Sequence, residues 1–268
     1  MATWAIYKRE LKTYFQMPST YIVIALIFLV MGMIFQMMMI EFSNASMQSQ
    51  QMGMFGQQQQ APNVTSVVIQ GVFGVMFSLI IFSVPLLTMR LVAEEKSRGT
   101  LEMIVTCPVS DWALLMGKYL ALVTVGLVMI ALSAIYPIIV WYLGRGQAAL
   151  AAESVVEWPI VGSLWIGLLL IFAAYSAFGL MASSMTENQM AAGVITLIGL
   201  LLWNILGVFS PEQFPKIAKI MTEISASSHT QNFQQGVLAL KDAAYYVLST
   251  FLFLFIASKT LDARRWRV

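Results

Sequence analysis

Charged residues are scarce in this sequence. Asp, Glu, Lys and Arg make up 10% of its 268 residues, against about 25% in soluble globular domains, while 59% of the residues are hydrophobic and the mean hydropathy is +0.78. The net charge is only +2, and no dense basic cluster with interleaved aromatics occurs, so nucleic acid is not an expected partner. The composition predicts an integral membrane protein with an all-α fold.

Residues that carry chemistry are also rare. One cysteine, Cys107, excludes an intrachain disulfide and a cysteine-based metal cluster. A lone histidine, His229, makes a poor metal site and is expected to be a hydrogen-bonding surface or interface residue. The sequence contains no G-x-x-x-x-G-K-[ST] phosphate loop and no H-E-x-x-H, G-x-S-x-G or C-x-x-C motif. We therefore assign no ATP site, no catalytic residue and no metal ligand to this chain.

Six apolar runs predict six membrane-spanning helices in a single domain covering residues 1–268. Their approximate bounds are 21–40, 67–89, 114–143, 160–183, 190–209 and 243–257. The first run is followed by no cleavage site and is expected to be a retained anchor. Pro85 and Pro137 lie inside spans two and three and are expected to kink them. The span centres carry no ionisable side chain, which argues against a proton-coupled carrier.

Lysine and arginine predict the orientation of the spans. With both termini inside, eleven of the 15 basic residues fall on inner segments and four on outer ones. Both termini are therefore expected in the cytoplasm.

Residues 1–17 predict an interfacial helix. Aromatic side chains share one arc of this helix and basic side chains occupy much of the rest, an arrangement that suits the lipid surface. The same helix could instead pack along a partner protein. Its expected membrane anchors are Trp4, Tyr7, Lys8, Arg9, Lys12 and Tyr14.

The densest cluster of charge lies at 90–113, between spans two and three. Glu94 precedes Arg98 by four residues, the favoured order on a helix, and Gly99 then offers a stop. A short, separate helix from Thr100 to Thr106 is expected next, with its apolar positions on one face. This segment is either a knob for a partner protein or a solvated connecting loop.

The other links differ in composition. Residues 41–66 form a Gln- and Met-rich tract that predicts a mobile outer loop. Its methionines could bind copper(I), although methionine is more often apolar filler. Residues 210–242 keep helical spacing and predict short outer helices before the last span. The inner link at Thr186, Glu187 and Asn188 is either a second, minor contact for a cytoplasmic partner or a simple turn.

The run AEEKSRGTLEMIVTCPVSDWALLMGKYLA, residues 93–121, resembles the hallmark of permease subunits of the type-2 ABC exporter family. In that family an E-x-x-x-G-T-L-E segment links spans two and three, ahead of P-V-S and G-K. The N-terminal helix, the six spans and the outer helices agree as well. Within the family, the approach to the last span is most similar to the gliding-motility-type permease.

The resemblance implies a non-catalytic subunit in a bacterial-type inner membrane. Two permease subunits, identical or related, would sit on cytoplasmic ATPase subunits that bind Mg-ATP, and the chain itself would hold no cofactor. An extracytoplasmic accessory protein is a further partner that the resemblance admits, alongside the lipid bilayer. The ATPase-coupling residues that it implies are Glu94, Glu95, Arg98, Gly99, Thr100, Leu101, Glu102 and Ile104.

The sequence thus predicts the permease of an ATP-driven exporter, with an amphipathic or lipid-like substrate. The alternative is a non-transporting membrane anchor of an ABC-type motility or envelope complex. An intramembrane enzyme would need acid or nucleophile pairs that the spans do not contain.

Overall fold

All regular secondary structure in the described part of the chain is helical. The computed structural model describes residues 2–54, 63–99, 110–151, 156–208 and 215–265. In chain order the helices are α1 (Ala2–Gln16), α2 (Pro18–Met54), a π-helical turn (Thr65–Ile69) leading into α3 (Gln70–Thr88), α4 (Ala93–Ser97), α5 (Asp111–Leu132), α6 (Ile135–Ala151), α7 (Trp158–Met185), α8 (Gln189–Ile205), α9 (Pro215–Ile224), α10 (Ala226–Gln234) and α11 (Leu240–Arg265).

Among the described residues, five stretches are long and apolar enough to cross a membrane. They are Pro18–Ser49, Thr65–Ser97, Asp111–Gly144, Trp158–Met185 and Leu240–Ala263. The remaining apolar helix, α8, has 17 residues, a length of about 26 Å at 1.5 Å per residue. The chain is therefore a multi-pass membrane protein, and the crossing of α8 stays a prediction.

Helix α7 forms the centre of the bundle. It packs against α3, α5, α8 and α11, and 61% of its apolar stretch is buried. Helix α2 is peripheral, with only 11% of its stretch buried. The core consists largely of aromatic and branched side chains such as Phe73, Phe172, Tyr175 and Tyr246. Apolar side chains on α2, by contrast, face outward.

The bundle has two ends that carry different short helices. Helices α1 and α4 lie at one end, where α3 and α7 finish and α5 and α8 begin. We call this the α4 end. Helices α9 and α10 lie at the other, where α8 finishes and α11 begins; Ser225 Oγ there donates to the carbonyl of Asn204 at 3.0 Å. We call this the α10 end.

Three boundaries differ from those that the sequence predicted. The loop expected from Glu41 is helical as far as Met54, because Met, Gln and Glu are good helix formers and no proline interrupts them. Span three is broken at Ser133, four residues before Pro137, where the proline ring excludes a helical carbonyl. The last span begins at Leu240 and extends to Arg265, beyond the expected 243–257.

Candidate functional site

The segment after α3 has the predicted local structure up to Gly99. Within α4, Arg98 Nη2 donates to Glu94 Oε1 at 2.6 Å, the ion pair that the spacing predicts. Gly99 then has a φ of +68°, a left-handed conformation in which glycine is unstrained, and the helix ends there. The other expected coupling residues lie outside the described part of the chain. These are Thr100, Leu101, Glu102 and Ile104.

A partly buried charged cluster joins α4 to α1 and α5. Lys118 Nζ, on α5, donates to Glu95 Oε1 at 2.9 Å and to Glu10 Oε1 at 3.1 Å. Arg9 Nη2, on α1, donates to the same two oxygens at 2.9 and 2.8 Å. The Lys118 side chain is only 1% exposed. We use "charged cluster" for these four residues, whose two cations and two carboxylates neutralise one another.

The close contact of α1 with α5 depends on a glycine. A Cβ atom at Gly117 would lie 2.7 Å from Ile6 Cγ2 and 3.2 Å from the carbonyl oxygen of Thr3. Because glycine has no Cβ, α1 can lie directly on the first turns of α5. This contact brings Glu10 within reach of Lys118.

The charged cluster fixes the relative positions of α1, α4 and α5 more than it adds to the stability of the fold. Taking charges out of water costs free energy that ion pairing only partly returns, but removing one partner from a buried pair typically costs about 3–5 kcal/mol. Lys118 has no access to solvent to compensate such a loss. The arrangement therefore disfavours any state in which α1, α4 and α5 separate.

The ionisation of the α1 residues fits this arrangement. Burial alone would raise the pKa of Glu10, but the Lys118 ammonium and the Arg9 guanidinium outweigh it and lower that pKa below its ordinary value of 4.5. The hydrogen bond to Glu10 is the main cause that raises the pKa of Arg9 above its ordinary value. Both groups stay charged at neutral pH.

Helix α4 is also attached to the end of α7. The backbone N–H groups of Val92 and Ala93 both donate to Ser183 Oγ, at 3.2 and 3.1 Å. These N–H groups belong to the first turn of α4 and have no partner within the helix. Lys96 Nζ donates to the carbonyl oxygen of Ser184. The segment after α3 is therefore held on two sides, by the charged cluster and by α7.

The link between α7 and α8 lies at the same end of the bundle. Asn188 caps α8, since its Oδ1 accepts from the backbone N–H of Met190 at 2.9 Å. Thr186 Oγ1 donates to the carbonyl of Ala182 at 3.3 Å. Helix α4 contacts both α7 and α8, so Glu187 and its neighbours lie close to α4. The described part of the charged segment, residues 90–99, and the link at residues 186–188 therefore lie at the same end of the bundle.

The expected membrane anchors divide into two groups. Trp4 is 61% exposed and stacks on Tyr7 with 5.0 Å between ring centroids, and Lys8 and Lys12 are exposed as well. Tyr14, in contrast, is buried, and its hydroxyl donates to the carbonyl of Leu87 at 2.9 Å.

Tyr14 is therefore not a lipid anchor, and the expectation is corrected at this position. At Tyr14, the aromatic arc of α1 that was expected to face lipid faces the protein, because α1 packs on α5 and reaches the end of α3. Arg9 likewise takes part in the charged cluster as well as facing solvent.

A second buried polar group lies at the α10 end. His229 Nδ1 is 2.6 Å from Asp242 Oδ1, and His229 Nε2 is 3.1 Å from the carbonyl oxygen of Glu223. Asn232 Nδ2 donates to the other oxygen of Asp242 at 2.6 Å, and the imidazole stacks on Tyr245 at 4.0 Å. These contacts attach α9 and α10 to the first turns of α11. His229 is thus a buried hydrogen-bonding residue rather than a surface one.

A cavity of about 290 Å³ opens beside α10, between α3, α7 and α8. We call it the outer cavity. Apolar side chains and uncharged hydrogen-bonding side chains share its walls, and within it Tyr175 Oη donates to Asn204 Oδ1 at 2.9 Å. The lining residues are Phe77, Ser78, Ile81, Ile171, Tyr175, Asn204, Ser227, Thr230, Gln231 and Gln234.

Sequence reasoning missed the residues that make these long-range contacts. Glu10 and Lys118 received no role, although a carboxylate in the aromatic arc of α1 and a lysine within a predicted span are both unusual and could have suggested pairing. Ser183 and Asp242 gave no signal of this kind. Their roles depend on which helices are neighbours.

No three His, Cys, Asp or Glu side chains come together as metal ligands in the part of the chain that the structure describes. Comparison with protein families identifies a match over residues 36–259 to a family model described as "ABC-2 family transporter protein". This match covers the membrane-spanning helices except for the first half of α2 and the last residues of α11. A comparison with curated proteins finds no significant match.

Proposed function

The chain belongs to the ABC-2 family of transporter proteins, and from this premise we propose that it couples ATP hydrolysis by a separate cytoplasmic ATPase to export of an amphipathic substrate. The family supports a membrane-embedded permease subunit. The position of the ATPase contact, the substrate class and the subunit arrangement are our proposals.

The charged cluster is the observation that carries the proposal. A segment that receives force from an ATPase must be stiffly attached to the spans that move. Ion pairs attach Glu95 to α1 and α5, and two backbone hydrogen bonds attach the start of α4 to Ser183 on α7. A displacement applied beyond Gly99 would therefore reach α1, α5 and α7 together.

We place the ATPase contact on the residues that follow this attachment. The helix expected from Thr100 would present Leu101 and Ile104 to the ATPase, with Glu102 near its N-terminus. Thr186 and Glu187 would add the minor contact, since α4 packs beside the ends of α7 and α8. In this assignment Glu94 and Arg98 face the ATPase side, and Glu95 is the internal brace.

The α4 end would then lie in the cytoplasm, together with both termini. The excess of lysine and arginine at this end supports that orientation. The complex would contain a second permease subunit, identical or related, and ATPase subunits that bind Mg-ATP. The exposed apolar side of α2 leaves room for that second permease or for lipid.

The outer cavity supports an amphipathic substrate. Phe77, Ile81 and Ile171 offer it an apolar wall, while Asn204 and Gln231 offer amide groups. A molecule with an alkyl part and a polar, hydrogen-bonding head would match both surfaces. The similarity to the gliding-motility-type permease is compatible with this reading but does not identify a cargo.

Co-purification tests the ATPase contact. The chain, expressed in its own host and purified under native conditions, should bring down an ABC ATPase subunit. Ile104→Asp should abolish this association, because it places a charge on the proposed docking face. Ile220→Asp is the matched control, since Ile220 is exposed at the opposite end. Undiminished association of the Ile104→Asp variant would refute the assigned contact.

Reconstitution separates an exporter from a non-transporting anchor. The purified complex in lipid vesicles should move a fluorescent lipid analogue between leaflets when ATP is added. ATP hydrolysis without any such movement, for a panel of amphipathic probes, would favour the anchor.

A further inference from the structure

A cavity of about 520 Å³ lies at the α4 end, where α1, the first turn of α2 and the end of α3 meet. We call it the junction cavity. Its polar side carries Arg90, Arg98 and the charged cluster, which includes Arg9. Its other side is apolar and includes Ile22, Val23 and Leu86. A positively charged side next to an apolar one, at the edge of the membrane-spanning region, suits a lipid.

Among the described residues that line the junction cavity, cationic side chains outnumber carboxylates by one. Four are cationic and three are carboxylates. Arg9 and Lys118 bind Glu10 and Glu95, and Arg98 binds Glu94. Arg90 has no ion-pair partner among the residues that the structure describes. An anion is therefore the complementary occupant.

The start of α2 adds to the attraction for an anion. Ser19 and Thr20 line the junction cavity and belong to the first turn of this helix. The N–H of Thr20 already donates to the carbonyl of Met17 at 3.2 Å, so the donors that this turn adds to the lining are the two side-chain hydroxyl groups.

An apolar track leads from the junction cavity along the bundle surface. Ile22 is 64% exposed, and Leu26 and Leu29 continue its face on α2. Leu86 and Phe82 do the same on the neighbouring α3, at 52% and 53% exposure. Inorganic phosphate would not contact these apolar side chains, whereas the acyl chain of a lipid would cover them.

We propose that the junction cavity binds the phosphate of an anionic glycerophospholipid through Arg90, with an acyl chain lying along α2 and α3. A zwitterionic lipid fits less well, because each carboxylate that the structure describes at the cavity already binds a cation and is not available to a choline group. The bound lipid would connect α1 and α2 to the turn between α3 and α4. This proposal does not depend on the ATPase contact or on the exported substrate.

Native mass spectrometry of the delipidated full-length chain tests the site. Dioleoyl phosphatidylglycerol should bind about tenfold more tightly than dioleoyl phosphatidylcholine, and Arg90→Gln should remove this preference. Lys219→Gln is the control, because Lys219 is exposed on α9 at the opposite end. Equal affinities for the two lipids, or equal affinities of the two variants for phosphatidylglycerol, would overturn the proposal.

Two further binding measurements identify the source of the phosphate and control for misfolding of the variants. Millimolar inorganic phosphate should not displace phosphatidylglycerol; displacement would show that a free anion is the ligand. Ile22→Asn, at an exposed position, should weaken phosphatidylglycerol binding severalfold, with Ile198→Asn on the exposed side of α8 as its control. Unchanged binding to the Ile22→Asn variant would overturn the acyl-chain part of the proposal.

Discussion

Lys118 Nζ and Glu95 Oε1 form a buried ion pair 2.9 Å long that joins the start of α5 to the short helix after α3. The connection between these two helices passes through the segment expected to contact an ATPase. The ion pair therefore joins the two helices that flank this segment, and Glu10 and Arg9 brace the pair from α1. We call this arrangement of α1, α4 and α5 the platform.

Replacement of Lys118 tests this platform. Lys118→Met should lower the free energy of unfolding by about 3–5 kcal/mol, because the carboxylates of Glu10 and Glu95 would then be buried with only Arg9 as counter-ion. Denaturant titration of the purified chain in detergent measures the change. Lys241→Met removes an exposed pair with Glu223 and should cost less than about 1 kcal/mol. Similar losses for both variants would contradict the platform.

Acidification should weaken the same platform through Glu10. Its pKa is lower than 4.5 in the folded chain, so its contribution to stability is complete well above pH 4.5 and disappears as the pH falls through the lowered pKa. Wild type and Glu10→Gln should therefore differ in unfolding free energy at pH 7, and the difference should shrink as the pH falls below 4.5 and through the lowered pKa. A difference in unfolding free energy that grows on acidification would contradict the lowered pKa of Glu10.

Coupling should depend on Glu95. Glu95→Ala is expected to reduce ATP-driven activity of the reconstituted complex severalfold while membrane insertion is retained. Glu223→Ala is the matched control, because Glu223 pairs with the exposed Lys241 at the opposite end of the bundle. ATPase and transport rates, measured at equal amounts of inserted protein, distinguish the two. Equal activity of the variants would remove Glu95 from the proposed role.

The hydroxyl of Ser183 should contribute as much to the attachment of α4 as an ion pair does. Ser183→Ala leaves the buried N–H groups of Val92 and Ala93 without their acceptor, at a cost of about 1–3 kcal/mol. Ser97→Ala removes an exposed hydroxyl from the same helix and should be nearly neutral. Hydrogen exchange at residues 92–97 should increase for the first variant only. Unchanged exchange would mean that α7 does not hold α4.

The His229 contacts should affect only the α10 end. His229→Ala removes the partner of Asp242 and the stacking surface of Tyr245, so limited proteolysis should cut α9 and α10 faster than in wild type. Co-purification with the ATPase should remain, since the α4 end is unaffected. Lys241→Gln, at a neighbouring exposed position, is the control. Loss of ATPase association would indicate that the two ends are coupled.

Local patterns in the sequence predicted much of the fold. Apolar run length predicts six spans, and five stretches of the described residues are long and apolar enough to cross a membrane. Residue spacing predicts α1 and the Glu94–Arg98 pair. Both features depend only on residues that are close in the chain. The continuation of α2 to Met54 was missed because a low-complexity composition was taken to exclude a helix that follows on from a span.

The charged cluster could not be predicted in the same way. Glu10 and Lys118 are joined by the packing of α1 on α5, which follows from tertiary contacts and from the missing side chain of Gly117. The same packing explains why Tyr14 faces the protein although its helical arc looks lipid-facing. Leu101 and Glu102 lie outside the described residues, so their contact with an ATPase stays a prediction.

The absence of a side chain at Gly117 has a consequence for motion. Because α1 lies close to α5 at this position and Glu10 on α1 binds Lys118 on α5, we expect the two helices to move together. A displacement of α5 would then also shift the exposed indole of Trp4.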